Sequence, residues 1–211
     1  VINPDDIVNE FGADTLRLYE MFMGDYTQDA PWSTDSLRGC KRFIDKVIRL
    51  KDKVANGEGY SKELESTIHK TIKKVQNDLN TMAYNTAVSS LMILANSMDD
   101  KKSITKDEYH LLLTLLNPIA PHITEELNEM SGFKPLCETS WPAYDEAKTI
   151  DSEKEIPVQI NGKVKATVKI ALDEEESSVK EKVHSTVENL LEGKNIVKEI
   201  YVKNKIYNIV V

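Results

Sequence analysis

Cysteine is almost missing from this 211-residue chain: Cys40 and Cys137 are its only two, far apart, and neither has a Cys or His at ligand spacing. That excludes a disulfide framework and a zinc finger, and two reduced, structurally ordinary thiols are expected. No apolar run approaches the ~20 residues that span a bilayer, and no charged-then-apolar leader precedes a small-residue cleavage site; a cytoplasmic protein with no membrane partner is expected. There is no glycine-rich phosphate loop, no Gly-x-Ser-x-Gly elbow and no pair of histidines at metal spacing. His69, His110, His122 and His184 are scattered. His122, beside Glu125 and Glu126 in a Pro-Ile-Ala-Pro-His helix start, has too little company for acid–base chemistry and reads first as a capping or structural residue, with ligand contact as the alternative. The acidic run Asp173-Glu174-Glu175-Glu176 precedes a helix, where negative charge complements the N-terminal dipole without any metal. No catalytic residue and no metal or cofactor site is expected in these residues.

What the chain does hold is enough apolar residue for a core. At 40% hydrophobic and 29% charged, its length suggests one large or two smaller domains. The net charge of −8, read alone, argues against a nucleic-acid partner. Its distribution is uneven. Residues 153–211 hold ten Lys against ten Asp plus Glu, which leaves 17 basic and 25 acidic residues in 1–152 to carry the whole deficit. What decides is the local gathering of positive charge, because phosphate contacts respond to the local field.

Residues 5–130 follow the helical period. Asn3 or Asp5 caps a short helix closing at Gly12, and Ala13 to Met23 supplies a second. After Pro31-Trp32-Ser33, a cap near Ser33 or Asp35 opens a long helix that runs to the Asn56-Gly57 turn, with Leu37, Cys40, Ile44 and Val47 on its inner stripe. Helices over 62–79, 82–98, from Thr105 onward and, beyond Pro118 and Pro121, up to Met130 complete a bundle of four or five members. Pro135, Pro142 and polar residues make 132–152 a linker, part of which Trp141 suggests packs down. The remainder alternates with period two. Val158 and Ile160, then Asn161-Gly162, then Val164, Ala166, Val168 and Ile170 signal a hairpin with a type I′ turn. A helix from Ser177 to Leu191 and strands over 196–202 and 206–211 complete a small ββαββ or related unit. The fold class expected is mainly α, a helical bundle followed by a small α+β domain.

The basic residues are ordered along the long helix. Arg38, Arg42, Lys46 and Arg49 or Lys53 fall three or four apart, with Lys41 adjacent, a stripe that can grip a phosphate backbone; a solvated face with Asp45 and Asp52 interleaved is the alternative. Lys62, Lys70, Lys73 and Lys74 form a second group with the same ambiguity. Lys163 and Lys165 flank the hairpin turn, and Lys203 and Lys205 flank the next, where lysines also discourage edge-to-edge aggregation.

The opening run, Asn3-Pro4 through Phe11-Gly12-Ala13-Asp14-Thr15-Leu16-Arg17, resembles the segment that follows the Lys-Met-Ser-Lys-Ser loop of class I aminoacyl-tRNA synthetases, and reads as the interior of a longer chain. Further matches follow in order: Trp32-Ser33, Gly39 and Arg42-Phe43-Ile44; Met82-Ala83-Tyr84-Asn85-Thr86-Ala87; and Leu116 to Leu127. Val158 to Lys165, Lys198 to Val202 and Asn208 to Val211 complete a chain-long similarity to leucyl-tRNA synthetases of the bacterial type. That resemblance implies a stem-contact segment over 1–34, a helical bundle of the anticodon-binding type over 35–131, the linker 132–152, and a C-terminal domain over 153–211 that reaches the tRNA corner. The partner it implies is tRNA(Leu), held by shape and backbone through Arg17, Arg38, Lys41, Arg42, Lys46, Arg49, Lys163, Lys165, Lys203 and Lys205. Lys stands where the family has Arg at several basic positions, which keeps the charge and loses the bidentate fork. The parent would be a monomer using ATP and Mg, with its catalytic and editing domains outside these residues, so the fragment alone is expected to be inactive. Two other readings stay open. One is the matching region of a methionyl, valyl or isoleucyl enzyme, which leaves the Asn-Gly tail unexplained; the other is a non-catalytic helical interaction module, favoured only by the net charge.

Overall fold

A computed structural model describes residues 2–25, 27–149, 153–172, 174–193 and 195–211. They fall into two compact units, divided between Thr149 and Ile150. In the first, α1 (Pro4–Phe11), α2 (Ala13–Phe22), α3 (Thr34–Leu50), α4 (Lys62–Asn80), α5 (Tyr84–Asp99), α6 (Lys106–Leu116) and α7 (Pro121–Met130) enclose one core. The helix starts obey their local chemistry: Asn3 accepts from the Asp5 amide, Ser33 from the Ser36 amide, and Thr105 forms a capping box with Glu108. Gly12, at φ 88°, lets α1 stop and α2 begin without a spacer.

Glu108 does more than close that box. Its buried carboxylate also accepts from the amide and hydroxyl of Ser61, the N-cap of α4, at 2.7 and 2.6 Å. The same region explains why α3 stops at Leu50 rather than at the Asn56-Gly57 turn. Lys51–Lys53 tighten into a 3-10 turn, and β1 (Val54–Ala55) pairs in parallel with β2 (Ile104–Thr105), a distant partner that no helical period reveals.

The structure makes no break at residue 34. Leu18 and Tyr19 of α2 are buried in the same core as α3 and α5, and the Tyr19 hydroxyl accepts from the Ser33 amide at 2.8 Å. Nor are residues 133–149 a linker. Phe133 stacks on His110 at 4.2 Å, Leu136 is buried, and Glu125 accepts from the amides of Leu136 and Cys137. Residues 145–149 lie along α4, held by the Lys73–Glu146 and Lys148–Glu65 ion pairs and by the Asp145 amide donating to His69. Proline and polar residues exclude a ladder of backbone hydrogen bonds, not packing, which is why composition misreads this stretch. Residues 150–152 lie outside the described residues.

The second unit contains β3 (Glu153–Ile160), β4 (Lys163–Ala171), α8 (Glu176–Leu191), β5 (Lys198–Val202) and β6 (Ile206–Val210), with sheet order β4-β3-β6-β5 and β3 parallel to β6. Asn161 and Gly162 have φ of 49° and 77°, both positive as a type I′ turn requires. Val179, Val183 and Val187 of α8 pack against Ile156, Val158, Val168, Ile170, Tyr207 and Ile209 on one sheet face. The hairpin carries a bulge: Val158 opposes Ala166 but Gln159 opposes Val164, leaving Lys165 as the extra residue. Simple alternation puts Val164 inside; the bulge turns it to the open face, where it is 57% exposed. Ile200 and Val202 share that face and are exposed too. Among the described residues, no helix is long and apolar enough to cross a membrane.

Candidate functional site

The buried stripe of α3, from Leu37 through Cys40, Ile44 and Val47 to Leu50, leaves its basic residues on the other side. There a groove of about 450 Å³ opens between α3 and α5. Arg42, Lys46 and Arg49 line it together with the acid Asp45, Phe43 and Met92 supply apolar surface, and Asn96 enters from α5.

Its cations are not equivalent. Lys46 donates to Asn96 across the groove and stands 3.6 Å from Asp99. Lys53 holds Asp99 at 2.9 Å, and its hydrogen bond keeps that carboxyl below the ordinary range. Lys41 is paired with Asp45 along the helix. Arg38 reaches Asp35 at 3.4 Å in open solvent, a contact worth little. Arg42 and Arg49 are exposed, and among the described residues neither guanidinium meets a carboxylate or another hydrogen-bonding side chain. The stripe thus resolves into two unengaged forks, each suited to bidentate contact with phosphate, beside lysines already used internally.

Arg17 is elsewhere. Its Nε donates to the Ile119 carbonyl at 2.9 Å and its Nη2 to the Pro118 carbonyl at 3.1 Å. One turn earlier on α2, Asp14 accepts from the Ile123 amide at 2.6 Å and lies 2.8 Å from His122 Nδ1. The spacing Asp14-x-x-Arg17 therefore puts an acid on the unsatisfied amides that start α7 and a base on the carbonyls just past the end of α6. Arg17 is thus a joint between helices, through its Nε and one Nη2 donor. His122 belongs to the same joint.

Of the second basic group Lys62 is exposed, and the other three are engaged internally. Lys74 donates to buried Asp78 at 2.6 Å, Lys73 pairs with Glu146, and Lys70 has a partner as well. In the second unit, Lys163, Lys165, Lys203 and Lys205 are exposed. They do not form one cluster. Because β3 and β6 are parallel, the turn that follows β3 and the turn that precedes β6 lie at opposite ends of the sheet, joined by the open face of Val164, Ile200 and Val202.

The remaining titratable groups are structural. Burial alone would raise the Glu199 carboxyl, but Lys180, Tyr207 and His184 donate to it and hold it below its ordinary value. Glu174 is drawn down to about 2 by Lys182, Ser178 and the Ala171 amide. Of the acidic run, Glu176 lies in the first turn of α8, and Asp173 lies outside the described residues. Burial pushes the Cys40 thiol up to about 11. Among the described residues, no three His, Cys, Asp or Glu side chains gather to hold a metal ion. Gly39, Met92 and Asn96 of the groove were not legible as site residues. Met92 and Asn96 are one turn apart on α5, but no local pattern sets the register of α5 against α3.

The sequence matches a family described as the anticodon-binding domain of tRNA ligase over residues 61–183. It is 56% identical to a leucine–tRNA ligase of Alkaliphilus oremlandii, over 100% of this chain and 27% of that protein. It is 43% identical to a leucine–tRNA ligase of Borrelia hermsii, over 100% of this chain and 25% of that one. The chain thus spans about a quarter of the length of the curated relatives it matches. Its fold resembles a chain in the crystal structure of the ternary complex of Agrobacterium radiobacter K84 agnB2 LeuRS, tRNA and LeuAMS. The TM-score there is 0.66 at 27% identity, covering 100% of this chain and 30% of that chain.

Proposed function

Since this chain belongs to the family of anticodon-binding domains of tRNA ligases, we propose that it is the tRNA-gripping C-terminal region of a leucine–tRNA ligase. Its part is to hold tRNA(Leu) while domains outside these residues activate leucine with ATP and Mg and carry out editing. The parent acts as a cytoplasmic monomer. The observation that carries this reading is the pair of unengaged arginines, Arg42 and Arg49, on a groove whose other cations are already satisfied. Exposed, unengaged guanidinium forks beside apolar surface suit a sugar–phosphate strand better than base-edge readout. Arg38 adds an exposed charge at the same side. In the second unit, the exposed Lys163, Lys165, Lys203 and Lys205 set positive charge at both ends of the open face, where phosphates can meet it.

Binding measured at several salt concentrations tests the proposal. Replacing Arg42 or Arg49 by Gln should weaken cognate and non-cognate tRNA alike and lower the salt slope by roughly 0.7–0.9 per residue. A base-reading role would instead remove discrimination and leave the slope in place. An unchanged slope in both variants would remove the groove from the interface.

A further inference from the structure

Among the described residues Gly39 is the one glycine inside a helix, and none of those in its own unit explains it. The glycines at 12, 59, 132, 162 and 193 have positive φ, a Cβ at Gly57 would press on Thr105 at 3.2 Å, and Gly24 lies in the bend after α2, outside any helix. Gly39 has neither reason. It lies within α3, is absent from the positive-φ set, and a Cβ there would meet only the movable end of Arg42, at an ordinary 3.7 Å. Glycine is the least favourable residue after proline in a helix interior, so an alanine would stabilise this chain taken alone.

Its place is what singles it out. Gly39 lines the α3/α5 groove one turn before Arg42, on the side of the helix that carries the unengaged guanidinium. A missing side chain lets another backbone come down onto the helix itself. An occupant anionic along its length suits the groove, because Arg42 and Arg49 flank it unengaged while its acid, Asp45, is already paired with Lys41. That occupant is partly apolar in cross-section, because Phe43 and Met92 face it. An RNA ribose–phosphate strand has both properties. We infer that Gly39 is the point of closest approach of the tRNA backbone, a ribose resting on the bare turn of α3 while the adjoining phosphates meet Arg42 and Arg49. This deepens the proposed tRNA-holding role and rests on it.

The test is a pair of substitutions with effects of opposite sign on fold and binding. Gly39→Ala and Gly39→Gln, in the whole chain, are expected to raise Tm by a few degrees. They should weaken a tRNA(Leu) transcript several-fold for Ala and tens of fold for Gln. The salt slope should stay at its wild-type value, because no charge is removed. Arg42→Gln is measured alongside. If it weakens binding and both Gly39 variants bind like wild type, the close approach is wrong and the groove reading stands. If Arg42→Gln and Arg49→Gln both bind normally, the groove reading itself fails. A lower Tm for Gly39→Ala would reveal a packing need inside the chain and overturn the inference.

Discussion

Arg17 and Ile119, 102 residues apart in sequence, are joined by a 2.9 Å hydrogen bond from the guanidinium Nε to the carbonyl. With the Pro118 carbonyl also engaged, this arginine ties α2 to the segment that follows α6. Arg17→Gln is expected to cost about 1.5–3 kcal/mol of stability, the range for hydrogen bonds to a charged group. Once folded, the variant should keep a wild-type salt slope for tRNA. Denaturant unfolding and salt titration on one preparation separate it from Arg42→Gln, for which the opposite pattern is expected.

The acid side of the same joint should be unequal in its two partners. Asp14 is buried and accepts the Ile123 amide, whereas 76% of the His122 side chain is exposed. Asp14→Ala should cost about 1–3 kcal/mol by leaving that amide unsatisfied. His122→Ala should cost less than about 1 kcal/mol. Equal losses in thermal or urea unfolding would refute this division of labour.

Acid should loosen the second unit through Glu199. Its folded carboxyl lies below the ordinary 4.5 because its three donors outweigh burial. The stabilisation is therefore fully present above pH 4.5 and disappears as pH falls through the folded value. Glu174, drawn to about 2, keeps its contribution further into acid. Melting followed through the tyrosines of this unit should show Tm falling from pH 5 to pH 3. Glu199→Gln should melt lower at pH 7 and flatten that fall; an equally steep fall would show that another group carries it.

The two thiols should react at very different rates. Cys40 is buried, with its ionisation pushed up to about 11, while Cys137 is exposed. At pH 8 so little Cys40 thiolate is present that iodoacetamide should label Cys137 alone in the folded chain, and both after denaturation. Peptide mass mapping at short times reads this directly. Rapid labelling of Cys40 in the native chain would mean that α3 opens easily.

Sequence carried the helices, their caps and the Asn161-Gly162 hairpin because each is set by residues within a turn or two of one another. The basic stripe on α3 was legible for the same reason. Which of its members stay unengaged was not, since Lys46 meets Asn96 and Asp99 on another helix. The structural part of Arg17 was not legible because a short-range pattern cannot show that the carbonyls of Pro118 and Ile119 stand beside it. The place of Val164 on the open face was not legible because a single-residue bulge resets the period of two without changing composition. Residues 132–152 were taken for a linker because Phe133 and Leu136 are too few apolar residues to register as an element, yet both find places on the bundle.

The double duty of Glu108 has a consequence for how the bundle breathes. One carboxylate holds the first turns of α4 and α6, so neither helix can fray at its start without releasing the other. In native-state hydrogen exchange, the amides of Ser61 and Thr105, 44 residues apart, should open as one cooperative unit with a shared free energy. Glu108→Gln should lower the protection of both by a common factor, making a local cap behave as a long-range coupling.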